Sequence, residues 1–374
     1  MKNHSGKEIF KLGFGLMRLP KLEDGSIDIE QTKLMADKFI EAGGTYFDTA
    51  YVYDAGGSEE AFRKAVAERY PREVYTVCTK LNAWHMAADE KAAKQQFFTS
   101  LERCGCGYFD FYLLHALMTD NYKKYDDYGL WDFVKEQKEK GLIRHWGFSY
   151  HAGPKLLEEL LTAHPEVDFV QLQINYADWE NPAVEARANY EVCERFGKPV
   201  VVMEPIKGGS LADPPEAVKE LLKDAAPGKS FASWAVRYAA SLPCVMTVLS
   251  GMSNTAQMED NLSYMKDFRP LDDAERAVLD KAQKIIMEDI SIPCTGCRYC
   301  TEGCPMQIPI PDIFEVSNDN LKKLESPRAR RQYAHAVKEK GKASDCVECG
   351  QCESACPQGL KIIELLKTCR AMEQ

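Results

Sequence analysis

Two cysteine runs with the same spacing constrain this chain more than any other feature of its sequence. Each run reads Cys-x-x-Cys-x-x-Cys-x-x-x-Cys-Pro, and the eight cysteines are Cys294, Cys297, Cys300, Cys304, Cys346, Cys349, Cys352 and Cys356. Thiolates spaced in this way can wrap one corner of an iron–sulfur cube from a tight loop. The spacing therefore predicts two [4Fe–4S] clusters near the C-terminal end of the sequence.

The fourth cysteine of each run lies too far along the chain to bind readily to the same cube as the three cysteines before it. Where two such runs occur together, the cysteine before proline binds the other cluster. We therefore predict one cluster on Cys294, Cys297, Cys300 and Cys356, and a second on Cys346, Cys349, Cys352 and Cys304. Two zinc sites are the alternative, although zinc modules usually pair two Cys-x-x-Cys units instead.

The stretch between the two runs predicts helices rather than strands. IPDIFEVSNDNLKKLE and SPRARRQYAHAVKEKG both have helical character, and the spacer resembles that of α-helical ferredoxins. We predict a mostly α-helical, ferredoxin-like domain over residues 290–374. A linker with a helix is predicted over 266–289, and one larger domain over 1–265.

The larger domain alternates between short apolar runs and stretches with helical periodicity. Eight apolar runs are each followed by such a stretch: LGFGLMRL, TYFDTA, VYTVCTK, DFYLLH, IRHWGFS, FVQLQIN, PVVVMEP and CVMTVLS. Apolar strands joined by helical crossovers indicate a parallel sheet covered on both faces. Eight units fit a (β/α)8 TIM barrel. A doubly wound open sheet is the alternative, weakened by the lack of a Gly-x-Gly-x-x-Gly turn after the first strand.

The overall charge and hydropathy limit the kinds of molecule that this protein is expected to bind. The formal net charge is −10, and nucleic-acid phosphates need Lys and Arg, so no nucleic-acid partner is expected. No run approaches the ~20 apolar residues of a membrane helix. The first residues contain no apolar core of a signal peptide, so we expect a cytoplasmic protein without a membrane partner.

Four polar residues fall at or just after the ends of successive predicted strands. Asp48 ends TYFD, Tyr53 follows in the next loop, Lys80 ends VYTVCTK and His115 ends DFYLLH. Strand ends of a barrel meet at one mouth, where chemistry is located. Taken singly, each residue has a structural interpretation: a helix cap, a solvated strand end or a buried core histidine.

Together these side chains suggest an acid for carbonyl chemistry. A free tyrosine, with a pKa of ~10, is a poor acid near neutrality, but a lysine ammonium beside it favours the phenolate. Tyr53, tuned by Lys80 and Asp48, could protonate a carbonyl oxygen while hydride reaches the carbon. His115 could hydrogen-bond the same oxygen.

These segments resemble the aldo-keto reductase family. The similarity rests on FDTAYVYDAGGSEEAFRKAV, TVCTKL, DFYLLH, GFSYH, VQLQINY and SGMSNTAQMEDNL, and it covers roughly residues 8–265. Asp48, Tyr53, Lys80 and His115 fall on the family's catalytic tetrad. With its cysteine runs, the chain resembles the branch that has a C-terminal ferredoxin-like domain. The resemblance implies a barrel enzyme that uses NADPH or NADH to reduce a carbonyl or oxidise an alcohol.

The resemblance also implies a set of cofactor-binding residues. Ser149 and Gln171 match positions that hold the nicotinamide carboxamide, and Met203 replaces the usual stacking aromatic. Lys207, Gly208 and Gly209 could meet the pyrophosphate. The adenosine loop is matched by Gly251, Ser253, Gln257 and Asn261. The loop carries no Lys or Arg, so the sequence does not choose between NADH and NADPH.

Three functional hypotheses remain open at this stage. The first is nicotinamide-dependent reduction of a small-molecule carbonyl, or oxidation of an alcohol, at Tyr53, with ancillary clusters. The second is a ferredoxin-linked electron-transfer or redox-sensing protein whose barrel binds a ligand without hydride chemistry. The third is a reductase driven by ferredoxin or another redox protein. Hydride transfer moves two electrons, whereas a cluster passes one at a time, and no flavin motif is present to join the two.

Overall fold

The computed structural model describes residues 6, 8–84, 87–182, 184–289, 292–320 and 324–373. Within them, eight parallel strands pair in sequence order and close into a barrel, β8 bonding back to β1. The strands are β1 Leu12–Gly15, β2 Tyr46–Asp48, β3 Thr76–Leu81, β4 Phe109–Leu117, β5 Ile143–Tyr150, β6 Phe169–Gln173, β7 Val200–Met203 and β8 Val245–Ser250. The predicted (β/α)8 barrel is confirmed, and the open-sheet alternative is wrong.

The strand register brings the ends of neighbouring strands to one mouth. Gly15 pairs with Asp48, and Lys80 pairs with Leu113. Because the strands are parallel and in register, side chains at their carboxyl ends meet at the same rim. Gly147 permits the close approach of β5 and β6, since a Cβ there would lie 2.0 Å from the Phe169 carbonyl oxygen.

Helices cover the barrel between its strands, and several begin at a side-chain cap. Asp28 accepts a hydrogen bond from the Gln31 N–H, and Asp89 accepts one from the Ala92 N–H. In chain order, the helices up to residue 289 are α1 Ile29–Glu41, α2 Gly57–Phe62, α3 Glu90–Cys104, α4 Lys123–Asp127, α5 Leu130–Glu139, α6 Pro154–Ala163, α7 Ala186–Arg195, α8 Glu216–Ala225, α9 Phe231–Ala240, α10 Thr255–Met265 and α11 Asp273–Asp289.

Large apolar side chains fill the inside of the barrel. The rings of Tyr46 and Phe111 lie 4.9 Å apart, and those of Phe111 and Phe169 lie 5.4 Å apart in an edge-to-face arrangement. All three residues are almost completely buried. Burying one such side chain stabilises a fold by roughly 1.5–3 kcal/mol. The barrel is therefore a packed core whose polar groups gather at its rim.

The chain divides into two compact units. The first contains residues 1–206 and 228–276, and the second contains 207–227 and 277–374. The segment 207–227, which follows β7, thus belongs to the same unit as the cysteine-rich part. The predicted ranges 1–265, 266–289 and 290–374 placed this segment in the larger domain instead. Those three ranges remain predictions as domain boundaries.

The C-terminal part of the second unit is mostly helical, as predicted. Its helices are α12 Tyr299–Glu302, α13 Ile310–Asp319, α14 Pro327–Ala336, α15 Gln351–Ser354 and α16 Ile362–Cys369. Ser326 caps α14 by accepting a hydrogen bond from the Ala329 N–H, and Pro327 occupies its first turn. Ile313, Phe314 and Leu366 belong to an apolar core that also contains the cysteine loops.

No helix in the described part of the chain has the length and apolar character needed to cross a bilayer.

Candidate functional site

A buried lysine organises the predicted catalytic residues at the barrel mouth. The Lys80 Nζ lies 2.5 Å from an Asp48 carboxylate oxygen and donates to the Thr49 carbonyl oxygen at 2.6 Å. The same nitrogen lies 3.3 Å from the Tyr53 hydroxyl oxygen. The structure therefore brings the predicted acid and both residues predicted to tune it into one hydrogen-bonded group.

Burial shapes the charges of this group. Asp48 and Lys80 are almost fully enclosed, so the ion pair is screened little by solvent. Burial raises the pKa of Asp48, while the adjacent Lys80 ammonium acts in the opposite direction. For His115, burial lowers the pKa well below its usual value, and the Lys80 charge lowers it further. His115 is therefore a neutral imidazole near pH 7.

Tyr53 reaches the group from a tight turn after β2. The two residues that follow it, Asp54 and Ala55, both have a φ of 52°. Asp54 also pairs with the Lys21 ammonium at 2.6 Å. The Tyr53 and His115 rings meet edge to face, with centroids 5.8 Å apart. Tyr53 keeps partial solvent exposure, as a group that meets a substrate requires.

An irregularity in β4 sets the position of His115. The pairing of β4 with β5 shifts between Leu114 and Leu117, and Ala116 has a φ of 56°. The Ser149 hydroxyl accepts a hydrogen bond from the Ala116 N–H at 2.7 Å, and the Asn121 amide donates to the Ala116 carbonyl at 2.8 Å.

Tyr125 completes this support from α4, because its hydroxyl donates to the His115 carbonyl. Sequence reasoning missed the positioning roles of Asn121 and Tyr125. Neither lies at a strand end, and no local pattern marks them.

The predicted nicotinamide residues lie together on neighbouring strands. Ser149, near the carboxyl end of β5, and Gln171 of β6 are register partners, and both are buried. Met203 ends β7 and pairs with Gln173. Buried polar side chains at the mouth fit an amide-bearing ring. The binding roles of Ser149, Gln171 and Met203 remain predictions.

The predicted adenosine loop follows β8 and leads into α10. The Ser253 N–H donates to the Gln257 side-chain oxygen at 2.7 Å, and the Asn261 amide donates to the Ser250 hydroxyl at 2.7 Å. The Ser253 hydroxyl donates to the Arg18 carbonyl oxygen, also at 2.7 Å. Sequence reasoning did not single out Arg18, since only strand pairing brings it to this loop.

Lys207 and Gly208 occupy a different environment from the one expected. Both belong to the unit that contains the cysteines, and Lys207 is buried. Gly208 has a φ of 67°, and a Cβ there would lie 1.8 Å from the Thr295 carbonyl oxygen. Their backbone therefore packs on the first cysteine loop, while their predicted contact with pyrophosphate stays a prediction.

Five residues in sequence segments that follow the strand ends are candidates to line a substrate pocket: Trp84, His85, Leu117, Met118 and His151. Leu117 and Met118 are buried near the β4 irregularity, whereas Trp84 and His151 are partly exposed. Burial of the His151 ring lowers its pKa to about 4. His85 lies outside the described residues.

The eight cysteines of the two runs surround two cavities. The wall of the first includes Cys294, Cys297, Cys300 and Cys356. The wall of the second includes Cys304, Cys346, Cys349 and Cys352. These are the two sets of four that the spacing predicted, each with the last cysteine taken from the other run.

The surroundings of the first cavity suit thiolate ligands. The Gly296 N–H donates to the Cys294 sulfur at 3.4 Å, a contact of the kind that adjusts iron–sulfur centres. Burial raises the pKa of the Cys294 thiol, whereas this hydrogen bond and the Lys207 ammonium lower it. The remaining wall is largely apolar and includes Ile310 and Phe314.

Comparison with known proteins identifies the family to which this chain belongs. A profile described as "Aldo/keto reductase family" matches residues 11–284. The chain belongs to the aldo/keto reductase family. A second profile, "4Fe-4S dicluster domain", matches residues 293–360, so this aldo/keto reductase has a C-terminal iron–sulfur domain.

Two curated relatives of this aldo/keto reductase align with it over most of their own length. The uncharacterized oxidoreductase YqkF of Bacillus subtilis is 24% identical over 288 residues, covering 69% of this chain and 88% of the relative. An aldo-keto reductase of Mycolicibacterium smegmatis is 28% identical over 274 residues, with the same two coverages. The chain is thus an oxidoreductase of this family.

Solved structures show the same barrel. Aldo-keto reductase AKR11C1 from Bacillus halodurans, in its holo form, has a TM-score of 0.59 at 24% identity, covering 73% of this chain and 91% of that one. An aldo/keto reductase from Klebsiella pneumoniae, solved with NADP and acetate, has a TM-score of 0.60 at 20% identity, covering 75% and 93%. At these identities the likeness establishes the fold alone.

Proposed function

We propose that this protein is an NAD(P)H-dependent oxidoreductase that reduces a small-molecule carbonyl, or oxidises the corresponding alcohol, with Tyr53 as general acid and base. The observation that carries the proposal is the contact of the buried Lys80 ammonium with both the Asp48 carboxylate and the Tyr53 hydroxyl. A phenol acts as an acid near neutral pH only where its conjugate base is stabilised, and an adjacent cation does this.

Each residue of the group has a separate task. Tyr53 donates its hydroxyl proton to the carbonyl oxygen, and Lys80 stabilises the phenolate that is left. Asp48 holds the ammonium in place and balances its buried charge. His115, kept neutral by burial, donates a hydrogen bond to the same carbonyl oxygen. In alcohol oxidation the Tyr53 phenolate takes up the proton instead.

The nicotinamide cofactor is proposed to bind at the mouth beside this group. When bound, the reduced nicotinamide supplies the hydride. Ser149 and Gln171 are suited to orient its carboxamide, because both are polar, buried and adjacent in register. Met203 can cover one face of the ring with its thioether, although less rigidly than an aromatic side chain.

The dicluster domain is proposed to hold two [4Fe–4S] clusters on the two sets of four cysteines. Support comes from the two cavities, each with four thiols in its wall. Thiols that surround a cavity favour a cluster over the zinc alternative, whose ligands converge at about 2.3 Å.

The decisive experiment replaces the proposed acid. Tyr53→Phe, purified anaerobically, should reduce 4-nitrobenzaldehyde with NADPH or NADH about 10²–10⁴-fold more slowly than wild type. Iron and sulfide content should not change, because the eight cysteines of the two runs lie in the other unit. Tyr51→Phe is the matched control, since its ring stacks with Arg103 and belongs to no part of the acid group.

Wild-type turnover in Tyr53→Phe would refute the proposed role of the hydroxyl. A wild type that binds neither NADH nor NADPH in calorimetric titration would refute the nicotinamide reaction as a whole. Either result would leave the fold and family assignment intact.

An alternative function is electron transfer or redox sensing with a ferredoxin or another redox protein as partner. The observation that favours it is the exposure of Cys349, with Val347 59% and Met306 37% exposed at the wall of the same cavity. A cluster at this edge would be open to a one-electron carrier. Carbonyl reduction driven by reduced ferredoxin, but not by NADPH or NADH, would select the ferredoxin-dependent form of this alternative.

A further inference from the structure

The turn that carries Tyr53 contains three successive residues in the left-handed backbone region. Asp54 and Ala55 both have a φ of 52°, and Gly56 has a φ of 95°. Only glycine adopts such angles without steric cost, so residues 54 and 55 hold this conformation only because their surroundings impose it. Contacts at the two ends of the turn therefore control where the Tyr53 hydroxyl lies.

Arg103, in the last turn of α3, contacts both ends of this turn. Its Nη1 donates to the Tyr51 carbonyl oxygen at 3.3 Å, and its Cζ lies 4.6 Å from the centroid of the Tyr51 ring. At the other end, a Cβ on Gly56 would lie 2.4 Å from the Arg103 Cζ. The Gly56 backbone thus packs directly on the guanidinium, and a single side chain spans the turn from residue 51 to residue 56.

A buried carboxylate orients the Arg103 guanidinium. Glu59, in α2, is fully buried, and its Oε2 lies 3.4 Å from the Arg103 Nη1. Its other carboxylate oxygen accepts a hydrogen bond from the Thr79 hydroxyl at 2.6 Å. Thr79 directly precedes Lys80 in β3, and the side chains of neighbouring residues in a strand point to opposite faces. A chain of contacts on the outer face of β3 therefore joins the strand that carries Lys80 to the turn that carries Tyr53.

We propose that Arg103 is a positioning residue for Tyr53, because it fixes both ends of the turn and so keeps the Tyr53 hydroxyl beside the Lys80 ammonium. The inference rests on the proposed role of Tyr53 as general acid and base. The two groups lie 3.3 Å apart, close to the upper limit of hydrogen-bond range. A shift of about 1 Å would separate them, and a displacement of that size can lower the rate of a reaction about 100-fold.

The first test measures steady-state reduction of 4-nitrobenzaldehyde with NADPH or NADH on the intact, anaerobically purified protein. Arg103→Gln should lower kcat about tenfold to a hundredfold and leave the KM for the aldehyde within about twofold of wild type. The reason is that loss of an interaction that acts only in the transition state lowers kcat and kcat/KM together. Unchanged kcat in a folded Arg103→Gln protein would overturn the proposal.

A double substitution separates the positioning of Tyr53 from a general structural role. If Arg103 acts through the Tyr53 hydroxyl, Arg103→Gln should cost no more than about twofold in a Tyr53→Phe background, because the group that it positions is already absent. A structural role would lower kcat by the same factor in both backgrounds, and this outcome would contradict the proposal. Tyr51→Phe remains a control, since it keeps the carbonyl and the ring that contact Arg103.

Arg72→Gln is the matched control. Arg72 also pairs with a buried carboxylate, that of Asp110 at 2.7 Å, and its Cζ lies 4.7 Å from the centroid of the Tyr75 ring. These residues lie at the amino-terminal ends of β3 and β4, opposite to the mouth. Arg72→Gln should therefore lower the melting temperature without lowering kcat at a temperature where the protein is folded. Equal losses of kcat in Arg72→Gln and Arg103→Gln would indicate general destabilisation and overturn the proposal.

Arg103→Lys tests which property of the side chain matters. Lysine keeps a cation for Glu59 but not the planar group that packs on Gly56 and donates to Tyr51, so this variant should recover only part of the lost kcat. If Arg103→Gln does not fold, Arg103→Lys takes its place in both the wild-type and the Tyr53→Phe background.

A crystal structure of Arg103→Gln separates failure of this inference from failure of the proposed function. If Tyr53→Phe kept wild-type turnover, the proposed function would fail, and the positioning role would be judged from the coordinates of the variant alone. A Tyr53 hydroxyl still 3.3 Å from the Lys80 Nζ would overturn that role. An increase of about 1 Å in this distance would support it.

Discussion

Lys207 shows how the surroundings of one residue change its expected role. The resemblance placed it at a pyrophosphate, yet the structure buries it in the same unit as Cys294, and its ammonium acts to lower the pKa of that thiol. The neighbouring Gly208 can pack on Thr295 only because it has no side chain. A buried cation beside a cluster ligand stabilises the more negative, reduced cluster.

The first residue-scale prediction follows from this effect of the Lys207 charge on Cys294. Lys207→Gln should lower the reduction potential of one cluster by about 59 mV. For a one-electron couple, this shift changes the ratio of reduced to oxidised cluster at a fixed potential about tenfold. Potentiometric titration followed by electron paramagnetic resonance measures this. Lys340→Gln, which removes an exposed lysine from the same unit, should shift neither cluster. Identical midpoints in Lys207→Gln and wild type would contradict the prediction.

At the scale of single elements, the irregular end of β4 is the feature on which the site depends most. A non-glycine residue with positive φ is strained and persists only where its surroundings hold it. The Ala116 backbone is held by Ser149 and Asn121, and the His115 carbonyl accepts from Tyr125. We infer that these contacts direct the His115 ring toward Tyr53.

Removal of one support should therefore affect both stability and activity. Asn121→Ala loses hydrogen bonds with the Ala116 carbonyl and the Met118 N–H. We expect a loss of roughly 1–3 kcal/mol in the free energy of unfolding. We also expect kcat to fall about tenfold to a hundredfold, because the imidazole moves. Denaturant titration and steady-state kinetics measure the two effects.

Asn320→Ala provides a matched control. Asn320 is also a buried asparagine, and its amide donates to the Val316 carbonyl and the Gln332 side chain in the other unit. This variant should lose stability without losing carbonyl reduction. Equal activity losses in both variants would mean that general destabilisation, not the position of His115, explains the result.

At the scale of the whole molecule, the chain combines an aldo/keto reductase barrel with a 4Fe-4S dicluster domain. The barrel is proposed to move electrons in pairs, as hydride, and the dicluster domain is proposed to hold electrons singly. No flavin motif was found to connect them. We therefore expect the two functions to be separable by substitutions within one unit.

The whole-molecule prediction uses the exposed ligand of the second cavity. Cys349→Ser should lose about half of the iron and sulfide, because one of two clusters is then incompletely held. NADPH- or NADH-linked reduction of 4-nitrobenzaldehyde should persist. Cys244→Ser, which changes a partly exposed cysteine outside both runs, should retain full iron. A parallel loss of iron and carbonyl reduction in Cys349→Ser would show that the clusters take part in that reaction.

Much of this protein could be predicted from short-range sequence patterns. The spacing of the cysteines, the alternation of apolar and helical stretches, and polar residues at strand ends are all properties of contiguous segments. These patterns were sufficient to predict the barrel, the dicluster domain and the grouping of four residues at the barrel mouth: Asp48, Tyr53, Lys80 and His115. The catalytic and binding roles of these residues await the experiments above.

Other features were decided only by the tertiary structure. Barrel closure brings Arg18 to Gly251, the unit with the cysteines encloses Lys207, and the irregular end of β4 is held by Asn121 from the following loop. Each depends on segments that meet only after folding, through many weak contacts added together. A local pattern cannot encode such meetings, because their stability comes from the packing of the whole unit.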